Sequence, residues 1–231
     1  MNQGLVVERL FDALTAGDRA LSREIVREAE ASLGSPAEVI ERIAWPVHEM
    51  IDKMHRADQL SRLAHQFATR LLRALVDQLG GRIARKPSNG KRVFTVCGPS
   101  DGEDLGAQMA VDILDAEGYT VLFAGGGIPA DEVLEQVHRT RPDVLLIFSS
   151  AASDLPGVRM ILDSLREING SPNTKIAVGG GVFNRAPGLH EELNIDLYAE
   201  TPRAVVEQLI AGPRIARVVE QKAPVRRRKA A

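Results

Sequence analysis

A glycine-rich turn with acidic residues and a single cysteine holds the side chains of this sequence best suited to chemistry. Residues 97–106 read CGPSDGEDLG, between a short apolar segment and an amphipathic one. Such a turn can bind phosphate where it enters a helix, but this one has neither a Lys-Ser/Thr pair nor the Gly-x-Gly-x-x-Gly spacing. Acidic residues in the first turn of a helix also stabilise its positive end. A nucleotide site is therefore not favoured.

The other reactive side chains are few. The chain has five histidines and one cysteine, Cys97, which excludes an intrachain disulfide and a cysteine-rich metal site. No nucleophile, histidine and carboxylate can be grouped into a catalytic set, so we predict no enzymatic activity. Cys97 ends a predicted strand, where it is either a small buried side chain or a thiol that contacts a ligand.

The first part of the chain is predicted to be a helical cap. Residues 1–85 have apolar side chains at helical spacing, which predicts four helices, near residues 4–15, 18–33, 36–55 and 58–80. Ser35, Pro36 and Glu38 predict a capping box at the start of the third helix. The segment 80–90 is rich in glycine, proline and basic residues and marks a domain boundary.

The second part, residues 91–213, is predicted to be a parallel α/β domain. Strands are expected near residues 92–97, 119–124, 143–149, 174–179 and 195–199. Five strand–helix units fit a flavodoxin- or Rossmann-like sheet with strand order 2-1-3-4-5, whose ligand crevice lies beyond the carboxyl ends of the strands. The loops at residues 97–106, 149–156 and 179–185 therefore form the candidate site.

Composition limits the possible partners. Lysine and arginine number 29 against 31 acidic residues, for a formal charge of −2, so no general attraction to nucleic acid or to a membrane surface is expected. A long apolar stretch and a basic-then-apolar leader are both missing, which predicts a cytoplasmic protein. Residues 214–231 contain a basic cluster, Arg226 to Lys229, which we interpret as a solvated tail or as a docking arm for an acidic partner.

The order of these features resembles the cobalamin-binding domains of methionine synthase type. The resemblance covers residues 4–211 and depends on the helical cap, the spacing from Asp101 to Gly106, the pair Ser149 and Ser150, and the triple glycine 179–181. In that family the small residues let a large flat or threaded group enter the crevice. The resemblance thus implies a cofactor site between the cap and the α/β domain.

Three positions depart from the family pattern. Cobalamin-binding members carry Asp-x-His-x-x-Gly, whose histidine replaces the lower axial ligand of cobalt, and this chain has Glu103 there. The light-sensing members have a Trp and a Glu-His pair in the cap, and the aligned residues are His55, His65 and Gln66. These departures predict weak or absent adenosylcobalamin binding, with another group in the same cavity.

A group of similar size is a tetrapyrrole. The cap offers His48, His55 and His65 together with Arg56, Arg62 and Arg70, which suit ring nitrogens and propionates. The chain is thus similar to the family branch of photoreceptors that hold biliverdin. At the mouth of the crevice, Cys97 would form a thioether with a bilin vinyl group or ligate haem iron, and Asp101 and Glu103 would accept from pyrrole N–H groups. The candidate cofactor-binding residues are His55, His65, Gln66, Cys97, Asp101, Glu103, Gly106, Ser149, Ser150, Gly179, Gly180 and Gly181.

The leading hypothesis is therefore a light sensor that binds biliverdin and signals through a partner protein or a change of homo-oligomeric state. Three alternatives stay open: a corrinoid protein that carries methyl groups between methyltransferases or senses light through cobalamin, a haem-based sensor, and a scaffold without a cofactor. A visible spectrum after addition of hydroxocobalamin, haem or biliverdin distinguishes them.

Overall fold

A computed structural model describes residues 2–168 and 171–211, so the predicted basic tail lies outside the described residues. The first part is entirely helical, as predicted. Its helices are α1 (Gln3–Thr15), α2 (Arg19–Leu33), α3 (Pro36–Val39), a π-helical turn (Ile40–Ala44), α4 (Trp45–Arg56) and α5 (Arg62–Gly80). Asn2, Asp18 and Ser61 cap α1, α2 and α5 through side-chain oxygens that accept from backbone N–H groups.

The predicted third helix is present but contains a π-helical turn that the sequence analysis did not predict. Pro46 has no N–H group, so it cannot donate to the carbonyl of Arg42 as a residue at its helical position normally would. The side-chain amide of Gln3 donates to that carbonyl instead, at 2.7 Å. The chain therefore compensates for the proline with a contact from α1.

The capping box predicted at Ser35 is wrong. Ser35 does begin the helix and Pro36 does follow it, but the Ser35 side chain makes no capping hydrogen bond. Glu38 instead pairs with Arg42 at 3.1 Å and with Arg203, far along the chain, at 3.3 Å. The Glu38 carboxylate therefore forms a tertiary ion pair in place of the capping hydrogen bond that the local motif requires.

The second part is a five-stranded parallel sheet with strand order β2-β1-β3-β4-β5, which confirms the predicted fold class. Helices connect the strands. The elements are β1 (Arg92–Cys97), α6 (Asp101–Ala116), β2 (Thr120–Gly126), α7 (Ala130–Thr140), β3 (Val144–Phe148), a 3-10 turn (Ala152–Asp154), α8 (Leu155–Ile168), β4 (Lys175–Gly179), α9 (Gly181–Arg185), α10 (Leu189–Glu192), β5 (Leu197–Tyr198) and α11 (Pro202–Ala211).

The cap shares its hydrophobic core with one face of the sheet. Leu10 and Ile43 of the cap belong to the same buried cluster as Leu105 and Met109 of α6 and Leu146 of β3. A second cluster fills the opposite face of the sheet under α7 and α8. Because β3 supplies both clusters, all five of its residues are buried.

Polar contacts also hold the cap on the α/β part. Arg73 of α5 pairs with Asp104 of α6 at 2.7 Å, and Arg203 of α11 pairs with Glu41 of the π-helical turn at 2.7 Å. The backbone N–H of Lys86 donates to the carbonyl of Ala116 at 2.7 Å, so the segment after α5 lies along the end of α6. The domain boundary at 80–90 stays a prediction. No helix in residues 2–168 and 171–211 is long and apolar enough to span a membrane.

Candidate functional site: a crevice between the cap and the sheet

Three loops at the carboxyl ends of β1, β3 and β4 meet at Ser150. Its backbone N–H donates to Glu103 at 2.6 Å, and its hydroxyl oxygen accepts from the N–H of Gly181 at 3.3 Å. The guanidinium of Arg185 donates to the Ser150 carbonyl. The structure thus brings together the serine pair, the triple glycine and the 97–106 turn, which the strand order placed at one edge of the sheet.

Glu103 is a buried bridge between two of these loops. Its side chain is 3% exposed, and it forms the capping box of α6 with Ser100, whose hydroxyl donates to the carboxylate at 2.7 Å. The second carboxylate oxygen accepts from Ser150. Burial and a hydrogen bond with the Asp154 carboxyl raise the pKa of Glu103. Both oxygens are therefore engaged inside the protein.

Two glycines allow close packing at this edge. Gly180 has a φ of +101°, and a Cβ there would lie 2.3 Å from the carbonyl oxygen of Ser149. A Cβ at Gly106 would lie 2.6 Å from the ring of Phe148 and 3.1 Å from Nε2 of His48. The glycine at 106 therefore leaves room for two side chains of this chain itself.

The floor of the crevice consists of Trp45, His48 and Phe148. The Trp45 ring lies 5.5 Å from the His48 ring and 6.2 Å from the Phe148 ring, edge to face. Burial, with the charge of Arg56, lowers the pKa of His48 to about 4, so this imidazole is neutral near pH 7. Among the described residues, the buried Nε1 of Trp45 has no hydrogen-bond partner. Such an N–H group can donate to a ligand.

The floor is closely packed. A cavity of about 10 Å³ lies beside Trp45, Phe148 and Gly180, between β3, β4, α6 and α11. A cavity of this size holds at most one water molecule. A large ligand therefore enters only where the cap moves away from the sheet edge.

The other two cap histidines lie at the rim. The rings of His55 and His65 stack at 3.8 Å, which places the ends of α4 and α5 side by side. Burial and the neighbouring His55 lower the pKa of His65. Gln66 is half-buried, and Asp101 is exposed while its carbonyl accepts from Arg73 at 2.9 Å.

Cys97 is a half-buried thiol. Its sulfur lies 3.9 Å from an oxygen of Asp104. Burial, with the charges of Asp104 and Glu103, raises the pKa of Cys97 to about 12. The thiolate, which is the nucleophile and the metal ligand, is therefore scarce at neutral pH.

Sequence reasoning missed four residues of this crevice. The candidate residues did not include Trp45, Phe148, Asp154 or Arg185. The only available signal was their position, because Phe148 and Asp154 stand at the end of β3 and in the loop after it. Trp45 gives no such signal, because it lies in the cap at the start of α4.

The chain thus has a two-part architecture, with a helical cap over the carboxyl edge of a parallel sheet. A B12 binding domain model matches residues 91–207, and a second B12 binding domain model matches residues 6–79. The chain therefore belongs to the B12-binding-domain family, as the resemblance implied.

Individual relatives are distant but cover nearly the whole chain. Trimethylamine corrinoid protein 1 of Methanosarcina mazei is 22% identical over 214 residues, 91% of this chain and 98% of the relative. Dimethylamine corrinoid protein of Methanosarcina barkeri is 23% identical over 210 residues, 89% of this chain and 96% of the relative. The structure of the Methanosarcina barkeri monomethylamine corrinoid protein has a TM-score of 0.77 at 17% identity, covering 90% of this chain and 99% of that one. The last comparison supports the fold.

These findings correct the functional prediction. Biliverdin as the cofactor, light sensing and sensory transduction are wrong, since the family models and the relatives point to a corrinoid. The proposed thioether at Cys97 depended on biliverdin and is withdrawn with it. The error came from reading Glu103, His55 and His65 as adaptations to another ligand. Contacts within the chain account for them, because Glu103 bridges two loops and the two histidines stack on each other.

The crevice fits a corrinoid in one respect and not in another. The unpartnered N–H group of Trp45 and the neutral ring of His48 suit a large, mostly uncharged group. Glu103 does not fit the role of a lower axial ligand, because its carboxylate is held by Ser100 and Ser150.

Proposed function

We propose that this chain binds a corrinoid between its cap and the carboxyl edge of its sheet, and carries methyl groups between methyltransferases. The observation that carries the proposal is the match of B12 binding domain models to both parts, whose meeting place is the crevice. The methylamine corrinoid proteins, which align with about nine-tenths of the chain, support it. In this role the chain gains and loses one methyl group per cycle, and partner enzymes catalyse both transfers.

The residues of the chain bind and shield the cofactor. A bound corrinoid supplies a cobalt ion that can hold a methyl group. Trp45 offers an N–H donor at the floor, and His48 offers an uncharged ring beside α6. His55 and His65 lie at the rim, where a partner enzyme would approach. The cap excludes water from the floor, because its core is continuous with that of the sheet.

Equilibrium dialysis against hydroxocobalamin tests the binding. We expect one equivalent to be retained, with a visible spectrum that differs from the free compound. His55→Ala and His65→Ala should weaken retention several-fold while helical circular dichroism stays unchanged. His138→Ala is the matched control, since His138 is exposed on α7. Absence of retention by the unmodified chain contradicts the proposal.

The carrier role has its own test. The loaded, reduced protein is incubated with radiolabelled methyl iodide and separated by gel filtration. We expect about one equivalent of label to co-elute with the protein, and to be lost when a methyl-accepting thiol is added with a methyltransferase. Protein without the corrinoid, treated in the same way, measures direct alkylation of side chains, and loaded protein that holds no more label than this control contradicts the carrier role. The same column reports whether the chain forms the predicted homo-oligomer.

A further inference from the structure

From the cavity between α7 and α8 we infer that this chain has a second binding site, for a small carboxylic acid with an apolar body. This α7–α8 cavity lies on the face of the sheet opposite the cap, so it is separate from the crevice. The inference goes beyond the proposed function, because the cavity shares no residue with the corrinoid crevice and its ligand binds independently.

The volume of the α7–α8 cavity suits a small organic molecule. It measures about 390 Å³, whereas the cavity at the floor of the crevice measures about 10 Å³. Small-molecule sites in proteins are commonly clefts of about 300–1,000 Å³. The α7–α8 cavity therefore has room for a ligand and not only for water molecules.

Three aliphatic side chains form its walls. Leu134 of α7 and Leu165 of α8 are partly buried and pack on the hydrophobic cluster beneath these helices. Ile168, the last residue of α8, is 63% exposed. Covering these side chains with an apolar group is favourable, because apolar surface is then removed from water. The walls thus favour a ligand with an apolar body.

Ser171 contributes an unsatisfied polar group to the cavity. Among the described residues, its Oγ atom is buried and has no hydrogen-bond partner. A buried hydroxyl group without a partner destabilises the protein. A ligand that forms a hydrogen bond with this hydroxyl group would remove that cost. The ligand should therefore carry one polar group on its apolar body.

Arg139 indicates the chemistry of that polar group. Its guanidinium lines the cavity and donates to the side chain of Gln136. Because a guanidinium has five N–H donors, others remain for a ligand. A carboxylate accepts strongly from a guanidinium and can accept from a hydroxyl group as well. Glu135 and His138 also line the cavity, but both are exposed, so water solvates the Glu135 carboxylate.

The carbonyl end of α7 is compatible with a bound carboxylate. Such an end normally disfavours a negative charge. Here the carbonyl of Gln136 accepts from the hydroxyl of Thr140 at 2.8 Å, and the carbonyl of Val137 accepts from the N–H of Arg141. The positive charge of Arg139 lies in the same turn and offsets the remaining negative potential.

Nuclear magnetic resonance of the 15N-labelled full chain tests the site, with octanoate as the probe. We expect saturable shifts of the backbone amide signals in residues 134–139 and 165–168. Octanol has the same apolar chain without the charge and should bind more weakly, and octylammonium, a cation, should bind more weakly still. The inference is overturned if octanoate causes no saturable shift in these segments, or if octylammonium binds more tightly than octanoate.

One pair of variants tests the head group. Arg139→Gln should weaken octanoate binding about tenfold and leave octanol binding unchanged, because only the carboxylate uses the guanidinium. Arg159→Gln is the matched control, since Arg159 is exposed on α8 and does not line the cavity. An equal effect of both variants on octanoate refutes the role of Arg139 and with it the carboxylate.

A second pair tests the apolar wall. Ile168→Glu places a negative charge in the wall and should abolish octanoate binding. Met160→Glu is its control, because Met160 is 58% exposed on the same helix but lies outside the cavity lining. Unchanged octanoate binding in Ile168→Glu overturns the inference. Hydroxocobalamin retention by the same proteins should not change, so that measurement reports on the proposed function separately.

Discussion

Asp112→Asn should stabilise the protein at neutral and alkaline pH. Asp112 faces the cap from α6, where a Cβ on Gly80 would lie 2.4 Å from its carboxylate. One oxygen accepts from Gln108 at 2.6 Å, and the other is buried with no partner among the described residues. Burial raises the pKa of Asp112 from its ordinary value of 3.8 to about 6. An asparagine keeps the first contact and removes the charge.

The magnitude follows from that pKa. A native pKa of about 6 against 3.8 corresponds to a destabilisation of the folded state by about 3 kcal/mol if the whole shift is counted. Partial solvent contact of the carboxylate reduces this destabilisation to about 1–2 kcal/mol. Because the native pKa is the higher one, the folded state binds the proton more tightly. The stability contributed by Asp112 is therefore greatest below pH 3.8 and declines as pH rises to about 6, above which the full penalty applies.

Urea unfolding at about pH 8 and at about pH 4.5 measures this effect. We expect Asp112→Asn to gain about 1–2 kcal/mol at the higher pH and less than half of that at the lower pH. The control is Asp115→Asn, which removes an exposed carboxylate on the same helix and its pair with Arg85, and should change stability by less than about 0.5 kcal/mol. An equal gain at both pH values, or a loss at the higher one, refutes the reasoning.

Two further substitutions probe contacts that hold the crevice and the cap. Gly180→Ala should destabilise the protein by about 2–4 kcal/mol in thermal unfolding, since its φ is positive and its Cβ would meet a carbonyl. Gly127 also has a positive φ but has open space around it, so Gly127→Ala should destabilise the protein by only about 1 kcal/mol. Arg203→Ala should lower the free energy of unfolding in urea by about 1 kcal/mol, because it breaks the pair with Glu41 that joins α11 to the cap. Arg9→Ala breaks an exposed pair and should lower it by less than about 0.5 kcal/mol. Equal losses within either pair of variants contradict the role given to the contact.

The architecture was predictable because its signals are local. The alternation of apolar segments with helical ones indicated a parallel sheet, and the apolar run 144–148 correctly indicated a central strand. The capping box at Ser35 was mispredicted because Glu38 pairs with Arg203, 165 residues away, a distance no local motif reports. The same motif does form at Ser100 and Glu103, where one carboxylate oxygen stays within the motif while the other accepts from Ser150.

The location of the site was predictable from the sequence, but the side chains that occupy it were not. Topology alone brings Ser150 and Gly181 to one edge of the sheet. The sequence analysis grouped His48 and His55 as cap residues for one ligand, but the structure buries the first in the floor and leaves the second at the rim. That difference depends on where α6 packs against the cap. The identity of the cofactor was mispredicted because a changed residue was taken as evidence for a changed ligand.

The orientation of the side chains in the crevice floor depends on the number of residues in the π-helical turn at Ile40–Ala44. An α-helix rotates by about 100° for each residue, and a π-helical turn accommodates one residue more than an α-helical turn. Everything after the turn is therefore rotated by that angle relative to a straight helix. Trp45 begins the next segment and His48 follows within its first turn. Loss of a single residue anywhere in the turn would swing both side chains around the helix axis, away from α6, without altering the identity of either.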